Sequence, residues 1–389
     1  MSEHRKWHHE NDASKLFDTK PEYIFPVDKA AIQERINGIR PAQYAKTRNF
    51  LRGAVTLLSP YISRGVVQLP DLKDMILQQY GYRASEKLIS ELAWREFFQR
   101  VWQAKGDAIL QDLRNEQSPI TTHQIPAAII NANTGINGID QSIQALYDSG
   151  YMHNHARMYT AMLTTNIAQA HWLLPAKWMY FHLLDGDIAS NHLSWQWVAG
   201  SYSSKKYYAN QENINKYTGQ TQRHSFLDVN YSDFADMPVP EILRTTSTPT
   251  LSTPLPTTVV PTIEVDLPTL VYNTYNLDPN WHAGKAANRI LLLEPDHFAQ
   301  YPISEKVLNW IIQLAHAQVP GIQVFSSNFQ DLMALLPEQY PMQQIYYKEH
   351  PTTRHYKGME ESRNWMFPQV QGYFNSFFAY WKKCERFLR

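Results

Sequence analysis

Two stretches, YMHNHARM (151–158) and LLDGDIASNHLSWQW (183–197), constrain this chain more than any others. Both lie in a region whose apolar residues recur at helical spacing, as in ALYDSGYMHNHARMYTAMLTTNIAQAHWLL. Carboxylates, asparagines, an arginine and tryptophans therefore fall on helices apolar enough to be buried. Each buried polar group is costly unless it finds a partner. A large polar ligand carrying an aromatic ring system would supply those partners.

A chain of 389 residues is long for one helical domain and suits two. Hydrophobic residues at 43% can fill a sizeable core, and some of the tryptophan richness needs no other explanation. Net charge is zero, so any affinity for nucleic acid must come from a local patch. The single cysteine, Cys384, excludes a disulfide framework and a cluster held by four cysteines. It suits a reducing cytoplasm. The first residues, MSEHRKWHHENDASK, lack the apolar core of a signal peptide. His4, His8 and His9 read as part of a solvated tail rather than a metal site. No apolar run is long enough to span a membrane.

The pattern is helical from Phe25 to about residue 225, then gives way to TTSTPTLSTPLPTTVVPTIEVDLP (245–268), an extended Pro/Thr-rich stretch. Beyond it, short β-rich runs (TLVYN, RILLLEP, IQVFSSN, QQIYYKE) alternate with helical ones (SEKVLNWIIQLAHA, FQDLMALL and finally PQVQGYFNSFFAYWKKCERFL), which predicts a small parallel sheet. The expected layout is a tail over 1–24, a helical domain over 25–240, a linker over 241–268 and an α/β domain over 269–389. Neither a dinucleotide fingerprint nor a P-loop is present.

Four motifs together resemble the photolyase/cryptochrome family. They are RNFLRGAVTLLSPYISRG (48–65), ELAWREFF (91–98) and the two stretches above. The resemblance runs from residue 25 to about 218, over half the chain. It implies an all-helical photolyase-type domain that binds FAD, followed here by a small Rossmann-like α/β domain. The family's own α/β antenna domain comes first, so the resemblance implies a permuted order. An antenna chromophore is left unassigned.

Residue by residue, the resemblance assigns Thr56, Leu58 and Ser59 to the pyrophosphate loop, with Tyr44 upstream in a Y-x-x-x-R-N pattern completed by Arg48 and Asn49. Val55 departs from the family's threonine. Arg95, Arg157, Asp185 and Asp187 match residues around the flavin ring, Arg157 and Asp185 as a buried ion pair, and Asn191 takes the position opposite its N5. Glu91, Trp94, Asn154, Met158 and Trp197 match the pocket for damaged bases. Asn and Met at 154 and 158 point to cyclobutane pyrimidine dimers rather than (6-4) photoproducts. As plain chemistry, Glu91 and Arg95 also make an ordinary i,i+4 pair on an amphipathic helix.

Trp195 and Trp172 match the inner two members of the family's electron-transfer chain. The outer tryptophan is missing, since its neighbourhood reads NEQSPITTHQI; Trp178 or a tyrosine is the alternative exit. Lys205 and Lys206, among the tyrosines of 203–224, and His155 are candidates for DNA contact, although a solvated loop explains the lysines equally well. His155 replaces the family's common arginine. The resemblance thus implies a monomeric deoxyribodipyrimidine photolyase acting on UV-damaged DNA. The rivals are a cryptochrome-like blue-light photoreceptor and, third, a flavin-bound module without photochemistry.

Overall fold

A computed structural model describes residues 23–388; the tail, with His4, His8 and His9, lies outside the described residues. The main helices of the first part are α1 (Lys29–Asn37), α2 (Pro41–Thr47), α3 (Ser59–Ser63), α4 (Leu69–Lys105), α5 (Asn137–Ser149), α6 (Asn154–Met162), α7 (Leu173–His182), α8 (Ile188–Ala199) and α9 (Gln211–Thr218). Their boundaries follow local chemistry. Asp28 caps α1 by accepting from the Ala31 N–H at 2.8 Å, and Asp187 caps α8 by accepting from the Ser190 N–H at 2.7 Å. α4 is broken at Gly81, whose φ of +72° is open chiefly to glycine. α6 runs into a π-helical turn over Leu163–Ile167.

The second part is a five-stranded parallel sheet. Its strands are β1 (Thr269–Tyr272), β2 (Asn288–Leu292), β3 (Gln323–Phe325), β4 (Ile345–Lys348) and β5 (Met359–Glu361), in the order β3-β2-β1-β4-β5. Val271 pairs with Ile290 on one side and Tyr347 on the other. α10 (Glu305–Gln318) and α11 (Phe377–Cys384) flank it. The order reverses between β1 and β4, which opens a crevice at the carboxyl ends of those two strands. β1 is buried throughout, as a central parallel strand must be.

One hydrophobic cluster crosses both parts. It joins Leu58, Phe97 and Trp102 of the helices to Leu291, Ile311 and Tyr380 of the α/β part. The buried Arg64 guanidinium stitches the same boundary, donating to the Leu184 carbonyl (2.9 Å) and the Thr274 carbonyl (3.3 Å). The Pro/Thr-rich stretch has no regular structure over 248–264, yet it is pinned along its length. Thr253 exchanges hydrogen bonds with the Ile303 backbone, and Thr258 accepts from the Ser326 N–H at 2.9 Å. Among the described residues no helix is long and apolar enough to cross a membrane.

Candidate functional site

The C-terminal half of α4, the start of α6 and the α7–α8 turn bring their polar residues together. Arg157 on α6 reaches Asp185 in the turn through two contacts of 2.9 and 2.8 Å, while its Nε donates to the Met152 carbonyl at 2.7 Å. Asp185 is nearly buried, and Ser63 at the end of α3 donates to its carbonyl. Two residues on, the buried Asp187 carboxylate serves three groups. It caps α8, lies 3.5 Å from Arg95, and accepts from the Gln99 amide. One turn into α8, Asn191 donates its Nδ2 to the Ala176 carbonyl at 2.8 Å. That bond fixes the amide's orientation and leaves Oδ1 as the end free to accept.

The rim of this cluster carries Glu91, which pairs with Arg48 (3.3 Å) and Lys87 (2.7 Å). Burial, with Glu91 second, raises the Tyr44 hydroxyl well above its ordinary range. His153 caps α6, accepting from the His155 N–H at 3.1 Å. Asn154 is exposed at the first position of that helix and Met158 is half-buried one turn on. Thr56 accepts from the Leu58 N–H at 3.4 Å in a turn where Leu57 takes a φ of +51°, a strained value for leucine. Ser59 begins α3. The Leu58 side chain is fully buried in the core, so only its backbone can face a ligand.

Trp94 does not stand free as a pocket wall. Its ring is stacked on Phe377 of α11, with centroids 3.9 Å apart and planes at 10°. Trp197 is 38% exposed and tilted against Tyr207. The one Ser203 hydroxyl proton lies within reach of the Trp197 carbonyl (2.8 Å) and the Lys205 carbonyl (2.6 Å), which ties the backbone of the exposed Lys205 to the end of α8. Lys206 is half-buried and its ammonium is lowered by burial. His155 corrects an expectation. Burial, and then Arg48, lowers its ring to about 4, so at neutral pH it is uncharged and offers no cation to a phosphate.

Trp172 and Trp195 are both buried, and the rings packed on Trp172 are those of His171 (5.7 Å) and His192 (6.0 Å). Trp172 donates to Asp112 at 2.6 Å. Trp178 is buried too and donates to the half-buried Tyr147 at 3.2 Å.

Gln99 and Ser63 were not singled out as site residues from the sequence. Gln99 had a signal, since it follows Arg95 by one helical turn and so shares its face. Ser63 had none, because its partner is 122 positions away.

Residues 88–250 match a family model described as the FAD binding domain of DNA photolyase. That stretch of the helical part is similar to the photolyase/cryptochrome family, and the domain it matches there binds FAD. The deoxyribodipyrimidine photo-lyase of Streptomyces griseus is 32% identical over 162 residues, which is 41% of this chain and 35% of that protein. The same enzyme from Thermus thermophilus is 32% identical over 169 residues, 41% of this chain and 38% of the relative. Cryptochrome DASH of Danio rerio is 27% identical over 168 residues, 41% and 32% of the two chains. The chain spans about a third of the length of these curated relatives. A crystal structure of a Synechocystis cryptochrome superposes with a TM-score of 0.44 at 20% identity, covering 59% of this chain and 50% of that one.

The residues present suit a flavin. The buried Ser190 Oγ, His153 Nε2 and His155 Nε2 have no protein partner. Such atoms await a ligand or water with many donors and acceptors.

Neutral histidines give this region an acid sensitivity. Burial is the main cause that lowers His153 and His192 to about 3, and His182 to about 4. Each would titrate near 6.5 in the unfolded chain. The unfolded state therefore takes up more protons below that pH. Stability that is complete above pH 6.5 is lost progressively as pH falls toward 4. Thermal melts should show a clearly lower midpoint at about pH 5 than at about pH 7.5, and a flat profile would contradict the burial of these rings.

Proposed function

We propose that this protein repairs cyclobutane pyrimidine dimers in DNA by a light-dependent reaction at FAD. The observation that carries the reading is the joining of Arg157–Asp185, Asp187–Arg95–Gln99 and Asn191 across three helices, with Glu91 at the rim. When bound, FAD supplies light absorption and one-electron chemistry. The chain supplies position and field.

In this reading Thr56, the Leu58 backbone and Ser59 hold the pyrophosphate, and Tyr44 lies alongside. Arg157 and Asp185 orient the ring as a fixed pair, and Arg95 provides a cation that favours negative charge nearby. Asn191 accepts a proton-bearing nitrogen through Oδ1. Glu91, Asn154 and Met158 contact the dimer, and Trp197 is one wall. Trp94 offers the dimer only the face opposite Phe377. Lys205, tied to the end of α8, tracks the phosphate backbone, and Lys206 does so more weakly because it is half-buried.

The test is repair of one defined thymine dimer in a short single strand, lit and dark, with the flavin chemically reduced beforehand. Repair only in the light is the expected result, and Trp94→Ala should lower it while leaving FAD bound. Absence of repair by protein that visibly carries reduced FAD would overturn the proposal. A blue-light photoreceptor would then be the better reading. Two observations favour that second reading: Phe377 covers one face of Trp94, and Trp172 is packed on histidines instead of an outer tryptophan.

A further inference from the structure

A second cleft lies on the other side of Arg95 and Gln99, where α4 meets the carboxyl ends of β1 and β4. Its walls include Asn276, after β1, His350, after β4, and Arg363, after β5. This is the crevice where the strand order reverses, the place where open parallel sheets bind ligands. Its volume is about 120 Å³, below the roughly 300 Å³ at which drug-sized pockets begin. A cleft of that size suits a small group with a few waters.

Three buried donors face this cleft without a partner: Arg363 Nη1, Asn276 Nδ2 and His350 Nε2. The His350 assignment follows from its other nitrogen. Nδ1 lies 2.7 Å from the Thr352 hydroxyl and accepts from the Thr352 N–H at 3.3 Å; with both donating to Nδ1, the neutral ring carries its proton on Nε2. His350 is neutral because burial, and then Arg363, holds it well below its ordinary value. Burial lowers Arg363 only to about 10, so it stays charged. Asp187 and Glu349 each offset part of the Arg363 charge from nearby without bonding its Nη1, and the acids along these walls have other partners. Glu96 pairs with Arg100 at 3.0 Å, and Glu349 accepts from Gln103 at 3.0 Å. Lys348 is answered by Glu361 at 3.3 Å. Three orphaned donors, one of them cationic, ask for an acceptor-rich anion, and leaving such groups unmet is costly.

We propose that this cleft binds a small oxyanionic group, a phosphoryl or a carboxylate, through Arg363, Asn276 and His350. The site adjoins the flavin cluster, sharing Ser63, Arg95 and Gln99 with it, and Asp187 acts on both Arg95 and Arg363, so occupancy is felt at Asp187. It does not depend on whether the protein repairs DNA or signals.

The experiment is calorimetric titration of the full FAD-loaded chain with inorganic phosphate and, separately, with acetate, against chloride at matched ionic strength. Saturable binding of either anion is expected, and which of the two binds more tightly identifies the group. Arg363→Gln should weaken it about tenfold or more. Asn276→Asp, which sets a carboxylate against the anion, should weaken it at least as much and serves if the first variant does not fold. FAD content should be unchanged in both variants. The proposal is overturned if neither anion binds saturably, if both folded variants bind as the parent does, or if the anion displaces FAD.

Discussion

Arg157→Ala is expected to cost about 3–5 kcal/mol of folding stability and to abolish FAD retention, because it strands the Asp185 carboxylate in a nearly closed site. The cost comes less from the lost attraction than from the charge left behind. Asp185 would keep no cation, and the Met152 carbonyl would lose its donor as well. Arg157→Lys should recover only part, since one ammonium cannot contact Asp185 as Nη2 does and also reach the Met152 carbonyl as Nε does. The informative control is Arg157→Met with Asp185→Leu. Replacing both partners by apolar side chains of similar size removes the stranded charge, so most of the stability should return. FAD binding should not return. Denaturant melts read the first quantity and the absorbance of the purified protein reads the second. A single variant within about 1 kcal/mol of the parent would mean that water reaches the pair.

That separation of folding from flavin binding also marks what the sequence could reveal. Motifs whose members lie within a few helical turns were readable, because the period of the helix carries them to one face. Arg157 and Asp185 were paired from a resemblance, and their contact is 28 positions long. The runs TLVYN, RILLLEP, IQVFSSN and QQIYYKE each contain a strand, since buried parallel strands are apolar throughout. The fifth strand, Met359–Glu361, was invisible. It is three residues, mostly polar and exposed at the sheet edge. The final helix was read over PQVQGYFNSFFAYWKKCERFL but spans only Phe377–Cys384, with Gly372 at a φ of +87° preceding it. What no local pattern could show is the packing of that helix on Trp94. The motif ELAWREFF was read for Glu91, Trp94 and Arg95, and its second glutamate passed without a role.

That glutamate, Glu96, is where the two parts of the chain are fastened, and Glu96→Ala should be as damaging as any single change, about 3–5 kcal/mol. Its buried carboxylate accepts from Arg100 at 3.0 Å, from the Phe367 N–H at 3.2 Å, from the Tyr380 hydroxyl at 2.6 Å and from the Met366 N–H. Removing it leaves three donors unmet at once and a buried guanidinium with the Phe367 carbonyl but no counter-charge. Glu96→Gln should fall between, since the amide keeps one acceptor oxygen but no charge for Arg100. The consequence reaches the functional site, because Tyr380 and Phe377 sit on the same helix and Phe377 lies on Trp94. Loosening the anchor should release that stack, and Trp94 should become accessible to a quencher such as iodide while the α7–α8 cluster keeps its FAD. Phe377→Ala separates the two effects. It removes the ring from Trp94 with the Glu96 anchor intact, at about 3–5 kcal/mol for a buried phenylalanine. If Trp94 quenching were unchanged in both variants, the stack would not be what shields that ring.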